Sequence, residues 1–471
     1  MILLLLVSVG GLVVIITVGN GGETSVETVP PRLLSKPEPV RIDARTNQTN
    51  TDDWRLADLE SGTRLTSVVA TDAGFAAAGV DIGGPGIWTS DNGSGWELAG
   101  RLEQPPGVSA GAWQPMLLGE WQGSLLTYAW VEGQGTAVWL DTRFGGYVAG
   151  PDASLTSKIV PGERLIAATL MSVDGSPVAG LEQDQASLVV SENGADWSEV
   201  SRVGVTDADV LQMIGFAGGD FFAMATCETR DCPAWGLYRS ADGLEWRPAS
   251  IESADSGNVF VTDVAAIGDA LVAVGTAGNE LFGRPAVWSS TEGEHWSLDD
   301  LDDIFQPETT TVELIAVDLE DTPESATVAV DGTPFHLTED SVIETDVGSI
   351  TVSAVNSDSV RLTIGTGRSS LLDIHEQTSM ERVAFLQEVA SSGERVAIRG
   401  FRVARAGGDA GTFLPAIWLS EDGGATWTEK TIESGEGAWI ASMAISDTGM
   451  VVIGGSGEGS ERTWYYDPVE D

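Results

Sequence analysis

A short acidic, glycine-rich stretch that ends in tryptophan recurs along this chain at an almost constant interval. Its fullest copy spans residues 417–427 and reads IWLSEDGGATW. The spacings between successive closing aromatic residues are 51, 50, 49 and 50, counted over Trp96, Tyr147, Trp197, Trp246 and Trp296. A period near fifty built from strand-like segments is the sequence signature of propeller blades. The chain is therefore expected to be an all-β propeller.

Each copy has the features of a β-hairpin. In the fullest one, residues 417–420 form a short apolar strand, 421–425 a tight turn, and 426–427 the start of the return strand. Glycine supplies positive φ, Asp422 can accept hydrogen bonds from turn amides, and Trp427 can clamp the hairpin to the sheet beneath it. These tasks are local and structural.

Four further copies are one residue shorter and carry Asp, Asn or Glu before the glycine. A degenerate copy at 138–141 is followed by Tyr147 at the position where the other copies have Trp. We expect the recurring residues to hold the fold. The structural set consists of Ser90, Asp91, Gly93, Trp96, Ser191, Asn193, Gly194, Trp197, Ser240, Asp242, Gly243, Trp246, Ser290, Glu292, Gly293, Trp296, Ser420, Asp422, Gly424 and Trp427.

Two apolar strands joined by a turn recur upstream of the hairpins, at 67–80, 209–226, 262–275 and 440–454. Together with the hairpin they supply four strands, which is one blade. Residues 297–383 alternate like strands but lack the turn signature, so we expect one or two degenerate blades there. This predicts about eight four-stranded blades over residues 52–471, with seven or nine as alternatives.

The last repeat has no fourth strand of its own. Residues 463–467 resemble a third strand, and residues 52–56, around Trp54, resemble a return strand. An unpaired edge would expose backbone donors and acceptors. We therefore expect the N-terminal segment to pair with the strand around Tyr465, so that the two ends close the ring.

An apolar run fills residues 2–18 and contains no charge. It predicts a membrane segment over residues 1–19. The lack of an Ala-x-Ala cleavage signal favours an uncleaved transmembrane anchor over a removed signal peptide. Residues 20–51 are rich in Gly, Pro, Thr, Glu and Asn and are expected to form a flexible linker. The expected location is the cell membrane, with a single pass and an extracytoplasmic domain, or outside the cell if the segment is cleaved.

The chain is strongly acidic, with 71 Asp and Glu against 24 Lys and Arg and a formal charge of −47. Such a surface repels phosphate backbones and anionic lipid. Nucleic acid is therefore excluded as a partner.

The two cysteines, Cys227 and Cys232, are close in sequence, and the three histidines lie elsewhere. A zinc site would need four ligands. The pair is expected to form a disulfide in an oxidising compartment, with free thiols as the alternative.

The recurring turns resemble the Asp-box, or BNR repeat, of sialidases and related propellers. Ser420, Asp422, Gly424, Thr426 and Trp427 match its Ser-x-Asp-x-Gly-x-Thr-Trp pattern. At the level of the repeat the resemblance covers about residues 52–468. It implies a propeller but not one activity, since such hairpins also occur in sortilin-like receptors, xyloglucanases and photosystem assembly factors.

Resemblance to sialidases would imply three substrate-binding arginines, a Tyr–Glu nucleophile pair and an Asp acid. The Arg-Ile-Pro-type motif is absent near the first blade, and Arg284 followed by Pro285 is the most similar dipeptide. Tyr128 with Glu132 is a possible nucleophile pair. The acidic run 299–303 could hold calcium, although a solvated acidic face explains it as well.

Two tryptophans are candidate ligand-binding residues. Trp113 and Trp439 each follow Gly-Ala and stand just before a predicted inner strand. Loops that enter inner strands line one face of a propeller, where ligands are commonly held. Each Trp could instead fill its own blade.

These observations together predict a membrane-anchored extracytoplasmic propeller that acts as a non-catalytic binding or scaffolding domain for a protein or glycan. The alternative is a glycoside hydrolase of sialidase-like architecture. We expect a monomer without a cofactor, calcium being the one possible ion.

Overall fold

The computed structural model describes residues 4–9, 12–17, 41–43, 54–104, 113–131, 135–140, 147–149, 158–168, 188–200, 209–227, 236–253, 259–278, 284–299, 302–305, 308–318, 325–345, 348–356, 359–364, 369–373, 377–406, 409–430, 432, 438–455 and 461–467. Within these ranges the chain is all-β apart from one helical turn.

Residues Met1–Pro39 form a compact unit of their own. Its two strands, β1 (Leu4–Val9) and β2 (Leu12–Thr17), pair as an antiparallel hairpin. In the described part of the chain, no helix has the length and apolar character needed to cross a membrane. Two short strands of the second unit follow, β3 (Arg41–Asp43) and β4 (Trp54–Leu56).

Five four-stranded blades come next, each an antiparallel sheet whose strands are adjacent in chain order. Blade 1 contains β5 (Arg64–Thr71), β6 (Gly74–Asp81), β7 (Gly84–Ser90) and β8 (Glu97–Arg101). Blade 2 contains β9 (Trp113–Trp121), β10 (Ser124–Val131), β11 (Gly135–Leu140) and β12 (Tyr147–Ala149). Blade 3 contains β13 (Lys158–Pro161), β14 (Leu165–Ala168), β15 (Leu188–Ser191) and β16 (Ser198–Val200).

Blades 4 and 5 are joined at their outer strands. Blade 4 contains β17 (Asp209–Ala217), β18 (Asp220–Cys227), β19 (Gly236–Ser240) and β20 (Arg247–Ile251). Blade 5 contains β21 (Val259–Ile267), β22 (Ala270–Ala277), β23 (Arg284–Ser290) and β24 (His295–Leu298). Because β20 pairs with β24 in parallel, the two blades form one eight-stranded sheet.

After the helical turn α1 (Asp302–Phe305), the chain forms an insert instead of a blade. Its first three strands pair with one another, and a second sheet contains the next four together with β3, which lies parallel to β28. Both sheets contribute to one hydrophobic core. The strands are β25 (Glu308–Asp318), β26 (Ser325–Val330), β27 (Thr333–Thr338), β28 (Val342–Thr345), β29 (Gly348–Val355), β30 (Ser359–Ile364) and β31 (Ser369–Asp373).

Two blades complete the described chain. Blade 6 contains β32 (Gln377–Ser392), β33 (Arg395–Ala406), β34 (Asp409–Ser420) and β35 (Thr428–Lys430), and the start of β32 also pairs with β25 of the insert. Blade 7 contains β36 (Trp439–Ser446), β37 (Gly449–Gly455) and β38 (Glu461–Tyr466), and its fourth strand is β4.

The pairing of β4 with β38 confirms the expected contact between the two ends of the chain. The strands are antiparallel, and Trp54 lies opposite Tyr466 while Arg55 lies opposite Tyr465. The rings of Trp54 and Tyr466 also meet, with centroids 5.9 Å apart. The N-terminal segment therefore covers the edge that blade 7 would otherwise leave open.

Seven hydrophobic cores hold the described blades together, and each core is shared by two neighbours. They join blades 1–2, 2–3, 3–4, 4–5, 5–6, 6–7 and 7–1. The first strands of neighbouring blades lie against one another in the same cyclic order. This closed succession of sheets is the architecture of a β-propeller.

Two sequence-based expectations need correction. Residues 297–383 were expected to contain one or two degenerate blades, but residues 308–373 build a two-sheet insert with its own core, joined to blade 6 through β25 and β32. Their alternation is that of any half-buried strand, so it does not distinguish a blade from a sandwich. Part of the expected linker 20–51 is also a strand, because Arg41–Asp43 pairs with β28.

The first strands of the blades run in the same direction around the ring. This follows from hydrogen bonds that join neighbouring first strands at equal depth. In these bonds a side-chain oxygen accepts from a backbone N–H of the next blade: Ser442 Oγ from Val68 (3.1 Å), Ser67 Oγ from Leu117 (2.6 Å) and Asp263 Oδ2 from Val389 (3.1 Å).

Candidate ligand-binding face

The two faces of the propeller differ. On the face where first strands end, they turn tightly into second strands, as between Thr71 and Gly74 or between Ser446 and Gly449. We call it the turn face. On the opposite face, where first strands begin, longer connections separate the strands, as between Ala168 and Leu188, and the insert enters β32 there. We call it the loop face. Binding residues concentrate on such connections over a rigid scaffold.

The five recurring turns lie on the turn face and have one hydrogen-bonding pattern. The serine Oγ accepts from the glycine N–H at 2.8–2.9 Å in every copy. The tryptophan Nε1 donates to the carbonyl of the same glycine at 2.9–3.1 Å. The glycines have positive φ: Gly93, Gly194, Gly243, Gly293 and Gly424. These polar groups are satisfied inside the turn.

In four of the five turns, the side chain of an acidic or amide residue accepts hydrogen bonds from backbone N–H groups of the same turn. Asn193, Asp242 and Asp422 do so as expected. Hydrogen bonds from the amides of Leu244 and Glu245 lower the pKa of Asp242. In the first copy the acceptor is Asn92, whose Oδ1 takes the Ser94 amide at 3.0 Å, and not Asp91.

Asp91 precedes Asn92 by one residue, and its side chain does not take the place of Asn92 as acceptor. Its backbone carbonyl accepts a hydrogen bond from Thr448 Oγ1 of blade 7. In the fourth copy Glu292 donates its amide to Ser290 Oγ. Its side chain is one methylene longer than aspartate.

The turns also link neighbouring blades. A Cβ placed on Gly194 would lie 2.7 Å from Leu140 of blade 2, and one placed on Gly293 would lie 2.9 Å from Phe222 of blade 4. The glycine of one blade thus lets the turn approach the preceding blade closely. The turn face is a structural surface.

On the loop face, Trp439 is the first residue of β36 and is 38% exposed. It lies opposite Gly455 of β37. A Cβ placed on Gly455 would lie 2.9 Å from three atoms of the indole ring. The ring therefore lies over the glycine backbone and leaves part of its surface open to solvent.

A charged pair lies beside this tryptophan. Gly455 lies opposite Glu461 of β38, and Glu461 Oε2 contacts Arg64 Nε of blade 1 at 2.8 Å. Burial raises the pKa of Glu461, and the Arg64 guanidinium opposes that rise. Trp439 and Glu461 thus lie on the two strands that flank Gly455, and the contact between Glu461 and Arg64 joins blade 7 to blade 1.

Trp113 begins β9 of blade 2 and so also stands on the loop face, although its side chain is outside the described part of the chain. Blade 1 separates it from blade 7. The two predicted tryptophans are therefore placed on the same face but on blades that are not neighbours.

A second group of charged residues spans three blades. Lys158 Nζ of blade 3 lies 3.8 Å from Asp263 Oδ1 of blade 5, and in blade 6 Arg399 Nη2 contacts Glu388 Oε2 at 2.5 Å. Burial raises the pKa of Asp263 to about 6, against the lowering effect of Lys158, and the nearby Glu388 raises it further. We call these four residues the channel group, because they lie on first and second strands, and the contact between Lys158 and Asp263 passes blade 4 to join two blades that are not neighbours.

The other predicted sites have separate outcomes. Cys232 and Glu132 lie outside the described residues, as do Asp300 and Leu301 of the acidic run. Tyr128 is half-buried, and its hydroxyl donates to Met116 Sδ. Arg284 begins the third strand of blade 5. Among described residues, three exposed side chains could together hold a metal ion: Glu292, Glu294 and His295.

No family model matches the chain. No curated protein matches it. Among solved structures, the computationally designed protein Ika8 is similar with a TM-score of 0.36 and 10% identity, over 87% of this chain and 99% of that one. A mutant of the Aleuria aurantia lectin in complex with alpha-methyl-L-fucoside is similar with a TM-score of 0.33 and 11% identity, over 81% of this chain and 99% of that one. YCF48 bound to D1 peptide is similar with a TM-score of 0.28 and 11% identity, over 89% of this chain and 96% of that one. These values are too low to transfer a function.

Proposed function

We propose that this protein is a non-catalytic binding propeller that holds a glycan on its loop face. The observation that carries the proposal is the half-exposed Trp439 over Gly455. A large aromatic ring in that position would be buried if its only task were to fill the blade.

The contrast between the two faces supports this proposal. On the turn face the recurring serine, glycine and tryptophan residues hydrogen-bond one another, so these groups are not available to a ligand. On the loop face an indole surface lies beside a carboxylate and a guanidinium. Ligand sites combine an apolar surface with a few convergent polar groups in this way.

We further propose that residues 1–19 anchor the chain in a membrane and that the propeller lies outside the cytoplasm, as the apolar run 2–18 suggests. The seven described blades are then the complete ring, and the recurring turns are Asp-box hairpins. In that compartment Cys227 and Cys232 form a disulfide, and the protein acts as a monomer. The acidic surface is compatible with a glycan partner and disfavours a polyanion.

A glycan array tests this function. The full chain is applied in parallel with two variants, Trp439→Ala and Leu244→Ala. Leu244 is 42% exposed and belongs to a turn on the opposite face, so its variant controls for loss of an exposed apolar side chain. Binding by the wild type and Leu244→Ala but not by Trp439→Ala is expected. Equal binding by all three proteins, or binding by none, contradicts the proposal.

A second candidate function, glycoside hydrolysis, is favoured by the channel group. Asp263 has a pKa raised to about 6 and lies near Glu388, which is ion-paired with Arg399. A carboxyl with a raised pKa beside a second carboxylate is the arrangement that glycosidases use. Against it, Asp263 already accepts the Val389 N–H and so links blades 5 and 6.

Release of nitrophenol from aryl glycosides separates the two functions. If the channel group is catalytic, the wild type hydrolyses at least one substrate and Asp263→Asn abolishes that activity. If the protein only binds, no turnover occurs with any glycoside that it retains on the array.

A further inference from the structure

We infer that the junction between blades 7 and 1 on the loop face is a subsite for one neutral pyranose, stacked on Trp439 and hydrogen-bonded by Glu461 and Arg64. This inference rests on the proposed function and adds to it the charge class of the ligand and the two polar residues that recognise it.

The β-sheet register places the residues of this subsite on one face of blade 7. Trp439, Gly455 and Glu461 lie opposite one another on three adjacent strands, so their side-chain directions share one face of the blade 7 sheet. Ser442 lies on that same face, because its partner Ile453 is two residues from Gly455, and it bonds to Val68 of blade 1. The face therefore looks toward blade 1, where Arg64 begins β5.

Blade 7 differs from blades 1, 5 and 6 at the second-strand position that pairs with Trp439. The residue equivalent to Gly455 is Val80 in blade 1, Thr276 in blade 5 and Phe401 in blade 6, each paired with the first-strand residue equivalent to Trp439. Glycine is needed at this position for the indole ring to pack flat against the sheet, because a Cβ would be too close to the ring atoms. The result is a flat apolar surface, the indole ring of Trp439, that is 38% exposed.

The polar residues beside this surface keep hydrogen-bonding capacity for a ligand. Glu461 Oε2 is shielded from solvent and lies 2.8 Å from Arg64 Nε, while the Glu461 side chain as a whole is 24% exposed. Arg64 uses Nε for this contact and is 43% exposed. One carboxylate oxygen and the terminal guanidinium nitrogens can thus accept from and donate to adjacent sugar hydroxyls.

The charges of the site favour an uncharged sugar. Arg64 and Glu461 compensate each other, so the pair has no net charge to attract a uronic acid or an amino sugar. A uronate would also approach a chain with a formal charge of −47. A cationic sugar would meet the Arg64 guanidinium at short range.

Isothermal titration of the full chain with methyl glycosides of glucose, galactose and mannose tests the inference, with glucuronic acid and glucosamine as charged comparisons. At least one neutral glycoside is expected to bind, and the charged sugars more weakly. Trp439→Ala and Glu461→Gln should each weaken binding by about tenfold, as expected for loss of a stacked ring or of a charged hydrogen bond. Leu244→Ala should leave affinity unchanged.

The outcomes separate this inference from the function on which it rests. Binding of neutral sugars that is unaffected by Trp439→Ala and Glu461→Gln overturns the subsite. Array binding that depends on Trp439 but selects only acidic or amino sugars overturns the ligand class and leaves the proposed function standing. Absence of any glycan binding overturns both. Thermal melting of each variant shows that a loss of affinity is not a loss of fold.

Discussion

The indole ring of Trp439 lies over the backbone of Gly455, at a position where three other described blades have a side chain. The two residues are paired across β36 and β37, so the large ring and the missing Cβ are complementary. Because the same register also brings Glu461 next to Gly455, one glycine determines both the orientation of the ring and its access to a charged pair.

Neighbouring glycines at this site should respond differently to substitution. A Cβ on Gly455 would meet only the indole, which can rotate away, whereas one on Gly454 would meet the backbone carbonyl of Trp439. Gly455→Val is therefore expected to abolish glycan binding with little change in melting temperature, and Gly454→Val to destabilise the fold. Calorimetry and the array measure both effects. A strongly destabilised Gly455→Val would show that the ring is locked in place rather than poised for a ligand.

The tryptophans of the recurring turns should contribute to stability according to their burial. Trp296 is 1% exposed and meets Phe222 edge-on, with ring centroids 5.5 Å apart. Its replacement by Ala should cost about 3–5 kcal/mol, as for other fully buried aromatic residues. Trp427 occupies the same position in its turn, but it is only half-buried, so a loss of about 2 kcal/mol is expected. Urea unfolding measures the difference, and equal losses would contradict it.

Truncation tests the contact between the chain ends. Deleting residues 1–49 removes β3 from the insert but leaves β4 in place, so the ring should stay closed. Deleting residues 1–60 removes β4 and exposes the edge of β38. Hydrogen exchange is then expected to accelerate in β38 for the longer deletion only. Equal exchange in the two proteins would mean that β4 does not stabilise blade 7.

Asp263 should give the stability a specific pH dependence. Its folded-state pKa of about 6 lies above its ordinary value, so the folded state binds this proton more tightly than the unfolded state does. The contribution of the group to stability is therefore present below pH 4 and is lost as the pH rises through about 6. Lys158, Glu388 and Arg399 are the charged groups around it.

Asp263→Asn keeps an oxygen for the Val389 amide and removes the titration. Its free energy of unfolding relative to wild type should therefore increase between pH 4 and pH 7. Denaturation at the two pH values measures this change. A relative stability that falls over the same interval would mean that the charged carboxylate is favoured in the folded state.

The sequence predicts local features of this fold better than it predicts contacts over distance. The serine, glycine and tryptophan of each turn form hydrogen bonds with residues only a few positions away, so a single short segment of sequence is enough to predict the turn. The pairing of Trp54 with Tyr466 was also predictable, because one repeat lacked a strand and another segment had its residue pattern. The insert was not, since its strands alternate as blade strands do.

Within the candidate site, only the exposed aromatic residue was predictable. Trp439 follows a repeated Gly-Ala, but its partner Gly455 is recognised only by aligning second strands, where blades 1, 5 and 6 have a single glycine followed by a larger residue. Arg64 and Glu461 meet because the ring closes, and no local pattern shows that. Asp263 and Glu388 were indistinguishable among 71 acidic residues.

Hydrogen exchange of the full chain, with and without the strongest glycan found on the array, tests the central claim most directly. The ligand is expected to slow exchange in β36, in β38 and at the start of β5, and to leave the recurring turns unchanged. Protection confined to the turns that contain Trp197 and Trp246, with none near Trp439, would place the ligand on the turn face and contradict the account.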